Sequence, residues 1–418
     1  MILYKKGGDN LQLVERHIIR KSNEFYKFID EYSFRVKNLY NYANYIIREE
    51  FIRTSKDKNV KTTIPKEYDL SKLLSKEEVY SNLMAKTSQQ TIKLLYKNWK
   101  SFFISIKDWL KNKDKYLGQP KPPKYKHKTK GRCVIIFTNQ QCKLKDGIIK
   151  FPQKFNSWEL KTTIKGNLNQ VRIIPSNNQY IVEVVYTVSE KEKLKDNSRY
   201  LGVDLGVDNF VTIGTNVGAK PTILNGKSLK SINQYYNKQI AFYKSKAKKF
   251  NNLDATNRIL RITNKRNNKI NDYMHKYSRI VVNEAIKLNC NTIIIGNNKE
   301  WKQKVSLGSV TNQNFVSIPY SKFINMLKYK CELEGINFMT TEESYTSGTS
   351  LLDDELPIKS NYNKSRRVKR GLFKSNNGVL INADVNGACQ IIKKVFPKAF
   401  VDGIEGVALH PVRLKLAN

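Results

Sequence analysis

Acidic residues are scarce in this 418-residue chain: 36 Asp and Glu stand against 75 Lys and Arg, a formal net charge of +39. A compact protein this basic repels itself unless a polyanion neutralises it. Nucleic acid is the natural polyanion, and its binding would be steeply salt-dependent. The plainer explanation is a lysine-rich surface from an AT-rich genome, and that does not account for twice as many bases as acids. Cysteine is scarce as well. Cys133, Cys142, Cys290, Cys331 and Cys389 form no CxxC pair, which argues against a zinc knuckle and a disulfide framework and fits a reducing, intracellular compartment. His17, His127, His275 and His410 are scattered, and no Ser/His or Cys/His arrangement points to a covalent nucleophile. There is no apolar run of about 18 residues, so no membrane span is expected. The first residues, MILYKKGGDNLQLVERH, lack the apolar core of a signal peptide. Apolar residues are not lacking. At 40% hydrophobic and 11% aromatic the chain can bury real cores, and its length suggests two or more domains.

Periodicity divides the chain. Residues 1–20 alternate apolar and polar and read as a strand. From Glu31 the period becomes helical, with Val36, Leu39, Tyr40, Ala43, Ile46 and Ile47 on one face. After a polar loop near Lys56–Lys66, a second helix is expected from about Ser88, with the stripe Ile92, Leu95, Trp99, Phe102, Ile106 and Leu110. That stripe reads as a bundle core rather than a base-stacking platform. The proline-rich, basic segment Gly118–Lys126 forbids helix and is expected to be an extended linker, suited to lying along a phosphate backbone. Residues 131–190 return to short strands, with a type I′ signal at Asp146-Gly147 and a second turn at Ser176–Asn178. A small barrel is expected, with the first strand joining it and the helical block inserted in it.

From Tyr200 the pattern is α/β. Strands are expected over Tyr200–Leu205, Asn209–Gly214, Asn291–Gly296 and Ile336–Glu343. Two long helices fall at 228–250 and 257–289. A third runs from Pro319, at its first turn, to Glu334, with Gly335 as its stop. Residues 344–378 read as an irregular basic insertion. Asn382 is placed to cap a final helix with Ala388, Ile391, Ile392 and Val395 on one face. The segment from Pro397 reads as loosely structured.

Two acids stand out. Asp204 lies within the apolar strand Leu201-Gly-Val-Asp-Leu-Gly-Val-Asp208. A carboxylate in such a strand is costly unless paired or liganded, and a divalent cation is one solution, a satisfied turn-capping Asp the other. Asp384, in Ile381-Asn-Ala-Asp-Val-Asn-Gly-Ala388, opens a helix, where acids are common for dipole reasons. Alone it says little. Paired with Asp204 it fits a scheme in which one Asp on a first strand and one at the start of a last helix hold two Mg²⁺ about 3.5–4 Å apart for phosphodiester hydrolysis.

Over about residues 200–396 the chain resembles the RuvC half of TnpB, the transposon-encoded family related to miniature type V CRISPR effectors. The stretches that carry the resemblance are GVDLGVDNF, HKYSRIVVNEA, IIIGNNKEWKQ, NQNFVSIPYSKF, TTEESYTS, VKRGLFKS and LINADVNGA, in that order. The N-terminal half resembles the family more loosely, by architecture and by QPKPPKYK. The resemblance implies a multi-domain α+β protein: a β-barrel wedge domain over 1–22 and 118–195, a helical recognition domain over 23–117, an RNase H-like (RuvC) nuclease domain over 196–343 and 379–418, and an inserted target-nucleic-acid-binding loop over 344–378. It implies an RNA-guided DNA endonuclease that cuts beside a short motif. The cofactors would be a guide RNA and Mg²⁺, with Mn²⁺ as a substitute. The partners would be guide RNA, double-stranded target DNA and the RNA–DNA heteroduplex, with one protein per guide RNA, no membrane, and a place in the cytoplasm of a prokaryotic cell. A nuclease-inactive RNA-guided repressor and a miniature CRISPR effector are the rival readings.

The sequence departs from the family in two places. The family's Glu at the end of the fourth strand is replaced by Gly296, and the nearest acid there, Glu300, lies past the strand end. Either the third carboxylate comes from the next strand, as Glu342 or Glu343 of TTEESYTS, or the nuclease is impaired. A branch of TnpB-like proteins that pairs an IGxN-type strand with EESYTS favours the former. Strand alternation lets only one of the two Glu residues face the metals, and the sequence does not say which. The second departure is that no cysteine lies between Cys331 and Cys389, so no structural zinc is expected in the insertion. Lys359, Lys364, Arg366, Arg367, Lys369, Arg370 and Lys374 make ordering by nucleic acid or a mobile basic loop equally fair readings. His275 is expected to be structural or superficial, with an approach to the scissile phosphate as the alternative.

Overall fold

The computed structural model describes residues 10–56, 62–251, 253, 255–297, 313, 316–369, 371–400 and 410–415. The chain is a mixed α+β protein of two compact units, divided at Val188/Ser189.

In the first unit, β1 (Asn10–Ile19) leads into α1 (Tyr26–Lys56), α2 (Glu67–Leu74), α3 (Glu78–Ser81) and α4 (Ala85–Lys111) before the strands resume. These are β2 (Ile135–Thr138), β3 (Lys143–Lys145), β4 (Ile148–Lys150), β5 (Glu159–Lys161), β6 (Asn167–Ser176) and β7 (Gln179–Ser189). They form a four-stranded sheet in the order β1-β7-β6-β2 and a three-stranded sheet β3-β4-β5. β1 therefore does join the later strands, and the helices are an insertion between β1 and β2. Among the described residues the ladders are two open sheets, and none closes into a barrel.

Both tight turns have the backbone that type I′ hairpins require. Asp146 and Gly147 between β3 and β4, and Asn177 and Asn178 between β6 and β7, all have positive φ. One apolar core runs through helices and sheets. It contains Ile92, Leu95, Trp99 and Phe102 from α4, which confirms the core role of that stripe as far as Phe102, while Leu110 is exposed. The indole of Trp99 donates to Asn44 Oδ1 at 3.0 Å, so its one polar atom is satisfied inside the core. The proline-rich segment cannot supply its own ladder, and α1 supplies one instead. Asn44 donates to Pro123 O (3.1 Å), Lys37 to Lys128 O (2.6 Å), and Asn41 both donates to and accepts from the backbone of Lys126. Helices α2 and α3 were not evident in the polar sequence. They exist because Leu70, Leu74 and Tyr80 bury against the same core.

The second unit is built on one sheet. Its strands are β8 (Tyr200–Leu205), β9 (Asn209–Thr215), β10 (Thr222–Asn225), β11 (Thr292–Gly296) and β12 (Asn337–Thr341). The order is β12-β11-β8-β9-β10, extended by β15 (Val412–Leu414). β8, β11 and β12 are parallel, and β9 is antiparallel to β8 and β10. The helices are α5 (Lys227–Asn251), α6 (Asn257–Lys287), α7 (Tyr320–Glu334) and α8 (Ala383–Val395). A two-stranded ribbon, β13 (Leu372–Lys374) with β14 (Leu380–Asn382), leads into α8. β11 is buried on both faces, as a central parallel strand must be. Gly335 ends α7 with φ +73.

Three expectations need correction. Pro319 is the residue before α7 rather than its first helical one. β12 stops at Thr341, so Glu342 and Glu343 lie beyond the strand and its alternation does not choose between them. The segment from Pro397 is not wholly loose, because β15 pairs in parallel with β10 from Thr222↔Val412 to Leu224↔Leu414. Residues 1–9, Glu300 and Arg370 lie outside the described residues.

Candidate active site

Asp204 is the fifth of the six residues of β8, at the centre of the sheet. The β8–β11 register runs Thr292↔Tyr200 to Ile295↔Val203, so the next residues, Asp204 and Gly296, are level at the carboxyl end. That end of an open parallel sheet is where ligands are generally taken. The helix α8 crosses β8 and β9 at close range because small residues face one another. A Cβ on Gly202 would overlap the carbonyl oxygen of Ala388 and stand 3.2 Å from its carbon. The helix is started by Asn382, whose side chain accepts from the backbone N–H of Asp384 and Val385. The cap and the close crossing together bring Asp384 into the electrostatic field of Asp204.

The third acid is Glu343. Gly296 pairs with Thr341, and the chain turns back just after it. A Cβ built on Gly296 would overlap Glu343 Oε1 and Cγ and lie 2.8 Å from its Cδ. Glu343 therefore fills the space that a side chain at 296 would enter. Glu342, its neighbour, is exposed. The structure thus brings Asp204, Asp384 and Glu343 into one electrostatic neighbourhood and leaves Glu342 at its margin, beside Lys394.

Burial, then the charges of Glu343 and Asp384, push the Asp204 carboxyl well above its usual range, against Arg367 and a backbone bond from Leu205. Burial raises Glu343 to about 7, with Lys394 opposing. Asn209 donates to Asp384 Oδ2 at 2.5 Å, and Arg367 stands 3.8 Å from Asp384 Oδ1. Asn209 is held in turn by Arg413 of β15 at 3.1 Å. Lys394 of α8 ties down the loop after β12 by donating to Ser344 O (2.7 Å) and Ser344 Oγ (2.8 Å). Tyr320, at the start of α7, donates to Gly206 O at 3.0 Å, and burial with the fields of Asp204 and Glu343 raises its hydroxyl.

Among the described residues no three His, Cys, Asp or Glu side chains stand close enough to hold a metal ion as they are placed. The chemistry of the set is nevertheless that of a hard-cation site: oxygen donors only, mutually repelling, in a partly desolvated sheet end. As placed, Asp384 accepts from Asn209, Glu343 lies over Gly296, and Asp204 faces Gly387 of α8.

Sequence reasoning missed the supporting residues. Arg413 and Lys394 carry no motif of their own, and Asn209 entered only as a residue of GVDLGVDNF, without a role. Arg367 was visible only as one base among seven in the insertion. His275 is exposed on α6, and Lys330 donates to its backbone oxygen.

Residues 183–302 match the family described as OrfB_IS605, probable transposase. Residues 320–391 match the family described as Cas12f1-like, TNB domain. Among solved structures, a Cas12f1–sgRNA–target DNA complex matches with a TM-score of 0.52 at 15% identity, over 88% of this chain and 82% of that one. The mini-RNA-guided endonuclease CRISPR-Cas_phi3 matches with a TM-score of 0.42 at 11% identity, over 92% of each chain. A CRISPR-Cas12f ternary complex gives 0.36 at 15%, over 86% and 81%. The first of these shows a shared fold. No curated protein matches the chain. Residues 183–302 are thus similar to the TnpB-type transposase family, and residues 320–391 to the TNB domain of Cas12f1-like proteins.

Proposed function

We propose that this chain is an RNA-guided DNA endonuclease whose second unit is an RNase H-like (RuvC) nuclease with Asp204, Glu343 and Asp384 as its acids. The observation that carries the reading is the packing of Glu343 into the space over Gly296. A carboxylate missing from β11 is replaced, at the same level of the sheet, by one delivered from beyond β12. The strand order β12-β11-β8-β9-β10, with only β9 reversed, supports the RNase H-like assignment.

Mg²⁺, or Mn²⁺ in its place, held by these three acids would supply an activated water and stabilise the leaving oxygen of the phosphodiester. The chain's own residues prepare for that. Asn209 fixes one oxygen of Asp384 and leaves the other toward Arg367. Arg367 lowers the cost of gathering three negative charges and offers a donor for a phosphate oxygen. Lys394 holds the Glu343 loop against α8. Burial makes Asp204 and Glu343 hold their protons more tightly than free carboxyls do, so a cation bound there would compete with protons.

The domain plan proposed with this function keeps the wedge region at 1–22 and 118–195, the recognition helices at 23–117, the nuclease at 196–343 and 379–418, and the nucleic-acid-binding insertion at 344–378. Guide RNA, target duplex and their heteroduplex are its proposed partners, supported by the net charge of +39 and by the sgRNA and target DNA of the Cas12f1 complex that shares the fold. No helix of the described residues is long and apolar enough to cross a membrane.

The test is to sequence the RNA that co-purifies with the protein and assay cleavage of a plasmid library of randomised flanking motifs. Guide-dependent, EDTA-sensitive cutting that is lost in Asp204→Ala while binding persists supports the reading. Binding without cutting in Mg²⁺ or Mn²⁺ would instead favour a repressor.

A further inference from the structure

Helices α5 and α6 form a hairpin between β10 and β11 in the chain. α5 has no Asp or Glu along its 25 residues. It nevertheless leaves aromatic rings in water: Tyr235 is 66% exposed and Phe242 50%. The two are seven residues apart and so lie on one face of the helix. The amine of Lys246 sits 4.5 Å from the Phe242 ring centroid, and the Arg258 guanidinium 5.5 Å from that of Tyr243. Exposed rings on an amphipathic helix are costly unless something covers them. Here the cover must tolerate, or require, dense positive charge.

Facing α5, helix α6 presents Arg258, Arg261, Lys265 and Lys269. All four are exposed and recur at each helical turn of about 5.4 Å. Between the helices is a pocket of about 490 Å³ whose lining includes those four bases and Tyr235, and no acid. Its floor is Arg266, already committed to Asn233 Oδ1 (2.8 Å) and Ser317 O (2.8 Å). The pocket adjoins a second of about 740 Å³, with which it shares Ser231, Ile232 and Lys269. The first acid met along this trough, Asp272, is paired with Lys276 at 2.7 Å.

Exposed rings beside a regular row of cations match one ligand chemistry: unpaired bases to stack and consecutive phosphates to neutralise. A duplex hides its base faces and would leave the rings unused. We propose that the α5–α6 trough is a single-stranded DNA-binding subsite. Tyr235 stacks a base there, and Arg258, Arg261, Lys265 and Lys269 follow the backbone. DNA rather than RNA is the assignment because the same unit bears the acids proposed to cut DNA, and to that extent it rests on the proposed function.

The experiment uses the full chain in EDTA with a thymidine oligonucleotide carrying 5-iodouracil, which photocrosslinks to a stacked aromatic ring. A crosslink to Tyr235, competed by unlabelled single strand and poorly by duplex, is the expected result. Tyr235→Ala should weaken binding roughly tenfold, with Tyr235→Phe restoring it. Replacing the four bases by Ala should lower the slope of log affinity against log salt by about 3. All five side chains are exposed, so melting temperatures should be unchanged. The proposal is overturned if no crosslink falls in α5, if duplex competes as well as single strand, or if only the ribo-oligonucleotide crosslinks. Each of those outcomes leaves cleavage at the acids intact, whereas failure of the nuclease reading is loss of cutting with the crosslink preserved.

Discussion

The carboxyl end of the central sheet and the α5–α6 hairpin belong to the same unit but treat charge in opposite ways. A chain with twice as many bases as acids places three of its acids at one sheet end, where burial and the charges of Glu343 and Asp384 raise the proton affinity of Asp204. A few elements away in sequence, a whole helix carries no acid at all. The contrast separates two tasks that both concern phosphate. Holding the backbone needs positive charge at the surface, and cutting it needs negative charge that can gather cations. Sequence-wide net charge reports only the first task, because the second is carried by so few residues.

Breaking the acid side should give the largest effects. Asp204→Ala is expected to reduce cleavage on the order of 10³-fold with target binding unchanged, measured by single-turnover cleavage beside a filter-binding assay. Glu343→Gln should cost on the order of 10²-fold, whereas Glu342→Gln should stay within about threefold. Equal losses from the two would refute the choice of Glu343 made from its packing. Gly296→Ala separates the site from the fold. Its Cβ meets a flexible side chain, so stability should change by less than about 1 kcal/mol, but Glu343 must swing aside and cleavage should drop roughly tenfold.

The protonation of Glu343 gives a subtler test on metal-free protein. Its pKa is raised from 4.5 to about 7 in the folded state, so the folded chain holds a proton that the unfolded chain releases. The contribution to stability is present below about pH 4.5 and is lost as pH rises through 7, by at most about 3 kcal/mol. In EDTA, Glu343→Gln should match the parent at pH 4.5 and be the more stable at pH 8 by urea titration. No difference between the two pH values would show that this carboxyl is not held protonated. A small effect is expected from Arg413→Ala, which loosens Asn209 without removing its bond to Asp384; cleavage should fall about two- to threefold.

Much of this site could be read from the sequence because its parts are local. Asp204 sits in an apolar strand, Asn382 starts the helix that carries Asp384, and Gly335 stops α7, each recognisable within a few residues. The choice between Glu342 and Glu343 was not local. It depends on where β12 ends and on the space left by Gly296, two facts held by different strands. β15 escaped notice because three exposed residues gain strand character only from pairing with β10. The β3–β4 hairpin is legible from Asp146-Gly147, but the separation of the sheet β3-β4-β5 from the main sheet is a long-range fact. Arg367 lies in a run of bases that sequence cannot rank. Its distinction is that an irregular loop, carrying no periodic signal, delivers it to Asp384.

The shared space over Gly296 also bears on how such a site can change over generations. Residues 296 and 343 contend for one volume, so a Glu arriving at 296 would displace Glu343 rather than add a fourth acid. The newcomer would take over the charge in the same event that evicts the old one, and position 343 would then be free to drift. On the proposed reading, an acid could thus move between neighbouring strands through chains that each keep three acids at this sheet end.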